Sequence, residues 1–194
     1  VTAVPLLFAR QPILDARERV FGYEVLYRSL DLGTSACSSP DVATATVSVH
    51  AVLDVGLDAL AGSAQVFFNV TRDVVVQRLH EFLPAERVIL DVDASAEDDP
   101  ELLKALQRAK AGGYRIALDH FVLARASPAL VALANVIKVE ALELDADELR
   151  RHADALARPG VLLLAQKVET RDVQRCCADA GYDLFQGYFV ARPE

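Results

Sequence analysis

The chain has 194 residues, 53% of them apolar, and a net charge of −8 from 28 acidic against 20 basic side chains. That length favours one domain with a substantial core, and the acidic balance argues against a long nucleic acid as partner, since binding one needs a basic stripe. No apolar run approaches the ~18 residues of a membrane span, and the apolar start Val4–Phe8, interrupted by Pro5 and followed by Arg10, makes a poor secretory signal.

The first elements differ from the rest. Val4–Leu14 and Val20–Tyr27 both read as strands, and the polar segment Asp15–Arg19 between them is too short for a parallel crossover, so the pair is predicted to be antiparallel. A small polar loop, Asp31–Pro40, holds the isolated Cys37. Asp41 is a plausible cap for a helix ending near Val55, with Val42, Ala45, Val49, Val52 and Leu53 at helical spacing. From Val66 onward, strands near 66–69, 88–92, 115–118, 136–139, 161–166 and 184–189 alternate with helices near 71–82, 97–111, 127–134, 146–157 and 170–180. Thr71, Asp145 and Thr170 stand where helix caps belong, and Gly112–Gly113 and Gly181 where helices end. Cys176–Cys177 is expected to pack in the core. Three cysteines without metal-binding spacing suggest a reducing, cytoplasmic setting. A chain that begins at Val1 and contains no Met is expected to be a processed chain or an excised domain.

Repeated β/α units of about 25 residues suit a barrel or a doubly wound sheet. The length is short against the ~250 residues typical of an eightfold barrel, so some units are expected to be abbreviated or missing. The apolar runs end in polar residues: Phe67–Phe68 in Asn69, Val88–Leu90 in Asp91, Ile116–Leu118 in Asp119, Val136–Ile137 in Lys138 and Glu140, Val161–Ala165 in Gln166, and Leu184–Phe185 in Gln186. Runs of this kind are buried parallel strands, and polar residues at their carboxyl ends converge on the mouth where such folds keep their sites. The bland alternatives are that Glu24 is a surface strand residue, that Asn69, Asp91 and Asp119 cap the helices that follow, and that His120 is a hydrogen-bonded structural residue. The acidic stretches Glu97–Asp99 and Glu140–Glu148 read as solvated helix starts.

Seven segments in chain order resemble the EAL domain family, whose members hydrolyse or sense cyclic di-GMP: Gln11–Pro12–Ile13 with Gly22–Tyr23–Glu24–Val25–Leu26–Tyr27–Arg28, then Phe68–Asn69, Leu90–Asp91, Ala117–Leu118–Asp119, Ile137–Lys138, Ala165–Gln166–Lys167–Val168–Glu169–Thr170, and Gln186–Gly187–Tyr188. The opening is closest to the subgroup joined to a C-terminal HDOD domain, and such a domain is expected to be absent from this excised chain. The resemblance implies an α/β fold, a modified (β/α) barrel of the TIM type with an antiparallel N-terminal strand, forming one domain over 1–194.

The resemblance also implies a two-cation site. Glu24, Asn69, Asp91 and Asp119 match first-metal ligands, with Asp91 in place of a glutamate. Lys138 matches a lysine near the attacking water, and Glu169 matches the glutamate that anchors the substrate-linked loop. Gln11, Arg28 and Gln186 match dinucleotide contacts. Three positions depart from the pattern: His120 stands for a second aspartate, Gln166 for a metal-binding glutamate, and Lys167 for the adjacent glycine. The loop 121–127 also lacks the family's glycines. Divalent cations activate water and neutralise phosphoryl charge, so loss of the second-metal ligands implies a vestigial catalytic centre. The expectation is therefore a non-catalytic module in bacterial cyclic di-GMP signalling that acts through a protein partner. It requires no cofactor, although residual magnesium or manganese at the first-metal set stays open. The alternatives are a receptor that binds cyclic di-GMP without cutting it and a weak metal-dependent phosphodiesterase. If Lys167 pairs with Glu140, that salt bridge is expected to fill the pocket and close it to ligand.

Overall fold

In the computed structural model, residues 6–29, 49, 52, 55–94, 99–123, 127–142, 144–189 and 191 are described. The predicted helix over 41–55, the loop 31–40 with Cys37, and Glu97 and Asp98 fall largely or wholly outside that set. Val49 and Val52 are within it and are buried.

Eight strands close a barrel in sequence order. Strand β1 (Leu6–Asp15) pairs antiparallel with β2 (Val20–Ser29) and with β8 (Leu184–Phe185). The remaining neighbours, β3 (Gln65–Val70), β4 (Val88–Asp93), β5 (Arg115–Asp119), β6 (Val136–Glu140) and β7 (Leu162–Gln166), run parallel. The early reversal is written into the turn. Asp15 Oδ1 accepts from the amides of Arg17 (2.8 Å) and Arg19 (3.0 Å), and Asp15 Oδ2 accepts from Arg19 Nε at 2.9 Å.

The helices whose bounds lie among the described residues are α1 (Leu57–Ala61), α2 (Arg72–Val76), α3 (Pro100–Ala111), α4 (Pro128–Leu133), α5 (Ala146–Leu156) and α6 (Arg171–Asp179), with a 3₁₀ turn at Leu79–Phe82. The shortening expected from the length falls on helices and on β8, not on the number of strands. Strand β8 stops at Phe185, short of the predicted 189, because the chain turns at Gly187 to lie over Val168. The Val168 amide donates to the Gln186 carbonyl (3.0 Å) and the Phe189 amide to the Val168 carbonyl (3.1 Å).

The caps fall as predicted. Thr71 and Thr170 accept from amides three residues on, and Asp145 forms a reciprocal capping box with Glu148. Asp99 caps α3 just before Pro100, the first helical position, which has no N–H to satisfy. Cys177 is buried as expected, but Cys176 is exposed, one position further around the helix.

Strand alternation divides the core in two. One parity (Val66, Phe68, Val88, Leu90, Ile116, Leu118, Ile137, Leu163, Phe185) packs under the helices. The other (Ile13, Phe67, Ile89, Ala117, Val136, Leu164, Leu184) fills the lumen as a dry layer. Barrel interiors are built in such layers. Because side chains alternate with period two, the residues two positions toward the mouth also point inward. Those residues are Gln11, Glu24, Asn69, Asp91, Asp119, Lys138, Gln166 and Gln186, the last seven standing two positions after Gly22, Phe67, Ile89, Ala117, Val136, Leu164 and Leu184. The site is the second layer of the lumen.

Candidate functional site

Lys138 is fully buried at the centre of this polar layer. Its ammonium donates to Asp91 Oδ2 at 2.6 Å, Asp119 Oδ2 at 3.0 Å and Glu24 Oε1 at 3.2 Å. Around it, Asn69 Nδ2 donates to Glu24 Oε1 (3.3 Å), and Gln186 Nε2 donates to Glu24 Oε2 (2.6 Å) and Gln11 Oε1 (3.4 Å). Gln11 Nε2 in turn donates to the Ala191 carbonyl at 3.2 Å. Glu24 is 7% exposed, which excludes the surface-residue reading. Helix capping is excluded for Asn69 and Asp91, whose neighbouring helices are capped by Thr71 and Asp99. Asp119 spends one oxygen on the His120 amide (2.7 Å) and the other on Lys138.

One cation among three carboxylates leaves the layer rich in negative charge. Burial pushes the Asp91 carboxyl up to about 7, helped by Asp119 and Glu24 and opposed by Lys138. Asp119 is also raised by burial, but the Lys138 charge and hydrogen bonds outweigh it and hold the group below its usual value. Burial works against the Lys138 ammonium. The carboxylates of Asp91, Glu24 and Asp119 more than offset it, so Lys138 stays charged.

Oxygens of Glu24, Asp91 and Asp119 lie within 4.8 Å of one another. Asp91 Oδ1 is buried without a hydrogen-bond partner. An orphaned buried carboxylate oxygen beside two others is a donor set that suits one hard divalent cation, with Lys138 now supplying the counter-charge. The three positions that depart from the family pattern present no carboxylate. The His120 side chain is 72% exposed at the rim, 3.9 Å from Asp93 Oδ1, on a left-handed backbone (φ 49°). Gln166 is a neutral amide, and the Lys167 ammonium pairs with Glu140 Oε1 at 2.5 Å.

That last pair forms as the sequence suggests, but it does not close the pocket. A cavity of about 320 Å³ remains, lined by Gln11, Glu24, Gln166, Lys167, Glu169, Gln186, Gly187 and Tyr188. A smaller one of about 190 Å³ lies over Asn69, Asp91, Asp93, Asp119 and His120. The polar ring thus gathers every predicted site residue except four. Glu169 and Lys167 line the cavity wall, His120 is at the rim, and the Arg28 side chain lies outside the described part. Sequence reasoning missed Tyr188 as a wall residue, although it stands in the quoted closing segment, and Asp93 beside His120. It also placed Lys138 near a water, not among three acids.

These features coincide with a known family. The family model for the EAL domain matches residues 63–193. The chain belongs to the EAL domain family. The EAL barrel is 29% identical over 189 residues to the cyclic di-GMP phosphodiesterase CdgJ of Vibrio cholerae, covering 96% of this chain and 44% of that protein. It is 27% identical over 190 residues to the uncharacterised protein YuxH of Bacillus subtilis, covering 95% and 46%. The chain therefore spans less than half the length of these curated relatives. Among solved structures, Klebsiella pneumoniae BlrP1 with manganese and cyclic di-GMP superposes with a TM-score of 0.75 at 21% identity, over 100% of this chain and 57% of that one. At that identity the likeness speaks for the fold. Among the described residues, no helix is long and apolar enough to cross a membrane.

Proposed function

We propose that this EAL barrel is a cyclic di-GMP-binding regulatory module that holds the dinucleotide without hydrolysing it. The observation that carries the reading is the open cavity, a volume in the range of small-molecule sites, walled by amides, two acids, a lysine and an exposed tyrosine. Glutamine amides suit the edges of a base, an aromatic ring suits its face, and an ammonium suits a phosphate. Hydrolysis in the two-cation mode needs charge on both sides of the phosphoryl group, and of His120, Gln166 and Lys167 only Gln166 offers an oxygen, an uncharged one.

The acidic cluster and the manganese in a solved neighbour favour metal use over the expectation that no ion is required. Glu24, Asn69, Asp91 and Asp119 would hold that single ion, whose chemistry when bound is to neutralise phosphate charge and acidify water. The chain's own residues do the rest. Gln186 and Asn69 orient Glu24, and Lys138 balances Asp91 and Asp119. A barrel that binds without cutting can act only by changing what it contacts, so a protein partner belongs to the same proposal.

The second reading, a phosphodiesterase, is favoured by the likeness to CdgJ and by the unpartnered Asp91 oxygen. Calorimetric titration with cyclic di-GMP, in EDTA and in manganese, together with chromatography for the linear product, separates the two. Binding in both buffers with no product is expected. Manganese-dependent turnover that disappears in Glu24→Gln would replace the binding module with an enzyme.

A further inference from the structure

Lys138 cannot serve a ligand, because it is fully buried and committed to three carboxylates. Among the described side chains lining the larger cavity, the cation is Lys167. Its side chain is 57% exposed and its partner Glu140 is 48% exposed, so water reaches both ends of the pair. The two stand at neighbouring strand ends, where Glu140 of β6 is in register with Gln166 of β7. The backbone beneath the lysine is held firmly. Lys167 takes a left-handed conformation (φ 55°), and the next residue, Val168, is fixed through both its amide and its carbonyl by the closing turn. The backbone next to the lysine is tied by two hydrogen bonds, while its side chain and the anion it pairs with are both open to solvent.

We propose that Lys167 is the phosphate-binding cation of this cavity, held by Glu140 until an anionic ligand takes its place. The ligand class is a phosphodiester, and the inference rests on the dinucleotide reading above. Binding exchanges one oxyanion for another at the same ammonium, so no metal ion is needed for that contact. Two other acids line the cavity. Glu24 is held from within by hydrogen bonds from Lys138, which it shares with two other carboxylates, and from Gln186, whereas Glu169 stays exposed on the wall and opposes an anion. Among the described side chains lining the cavity, Lys167 therefore supplies the charge that favours a phosphate when no ion is bound.

The test is titration of cyclic di-GMP in EDTA, at low and high salt, into the wild-type chain and into Lys167→Gly, Lys167→Arg and Glu140→Gln. All these sites are exposed, and glycine suits the left-handed backbone, so folding is retained and checked by circular dichroism. Lys167→Gly is expected to weaken binding about tenfold or more, as for loss of a charge-assisted hydrogen bond, and to flatten the salt dependence. Lys167→Arg keeps most of the affinity. Glu140→Gln tightens binding up to about fivefold, the scale of an exposed ion pair released. Wild-type binding that is indifferent to Lys167→Gly and Glu140→Gln overturns the exchange and leaves the binding module standing. No wild-type binding in EDTA overturns the exchange, and no binding in manganese either overturns the binding module as well.

Discussion

Replacing Lys138 by methionine keeps the length of the side chain and removes its charge. Three buried or nearly buried carboxylates, at 2.6, 3.0 and 3.2 Å, then lose the cation they share. Breaking a buried ion pair by deleting one partner costs about 3–5 kcal/mol, because the remaining charge has neither water nor a counter-ion. Domains of this size are stable by roughly 5–15 kcal/mol, so the loss is a large fraction of the whole. At roughly 2–4 °C per kcal/mol for a chain of this length, the melting temperature should fall by about 6–20 °C. Denaturation in EDTA, followed by urea titration and by heating, measures it. Manganese should return part of the loss in Lys138→Met and shift the wild type less, since in the wild type the ion must displace an ammonium. The double variant Lys138→Met, Asp91→Asn should be more stable than Lys138→Met alone, having one charge fewer to strand. A Lys138→Met protein within about 0.5 kcal/mol of wild type, and indifferent to manganese, would refute the role given to the lysine.

Other predictions follow from the same geometry. A methyl group at Gly187 would sit 2.2 Å from the Val168 carbonyl oxygen, so Gly187→Ala must push the closing turn off β7. It should cost about 1–3 kcal/mol or more and weaken cyclic di-GMP binding in the same titration. His80 is buried against Tyr114, with Nε2 unpartnered, and burial holds its pKa below the usual value despite Glu81, while Arg78 and Arg108 add to the depression. A depressed folded pKa contributes stability that is present above ~6.5 and lost as pH falls through the folded value. This contribution runs against the gain in stability as the buried Asp91 carboxyl takes up its proton, so it is read as a difference: the melting temperature of His80→Gln relative to wild type should rise as pH falls below about 6.5. Asp145→Ala removes the capping box of α5 and should cost about 1 kcal/mol in urea denaturation without affecting ligand binding.

Much of this protein is legible in its sequence because the signals are local. The Asp15–Arg19 turn is too short for anything but an antiparallel pair. The apolar runs stop where the barrel opens, and Thr71, Asp145 and Thr170 cap the helices that follow them. The polar ends could be named as a site before any contact was known, because parallel strands must deliver their carboxyl ends to one face. The resemblance then attached roles to Glu24, Asn69, Asp91, Asp119 and Lys138.

What the sequence could not decide is how those charges settle against one another. The lumen parity that sets Lys138 among Glu24, Asp91 and Asp119 joins residues up to 114 positions apart, and their balance depends on burial and distances of 2.6–3.2 Å. The Lys167–Glu140 pair was foreseeable as a pair, but its place at the rim beside an open cavity was not. That depends on the left-handed turn at Lys167 and on the closing turn folding back over Val168. Periodicity and caps determine which residues reach the mouth. Closure of the barrel decides which of them neutralise each other and which remain for a ligand, because electrostatic energy depends on separation and solvent access, and neither exists until the strands meet.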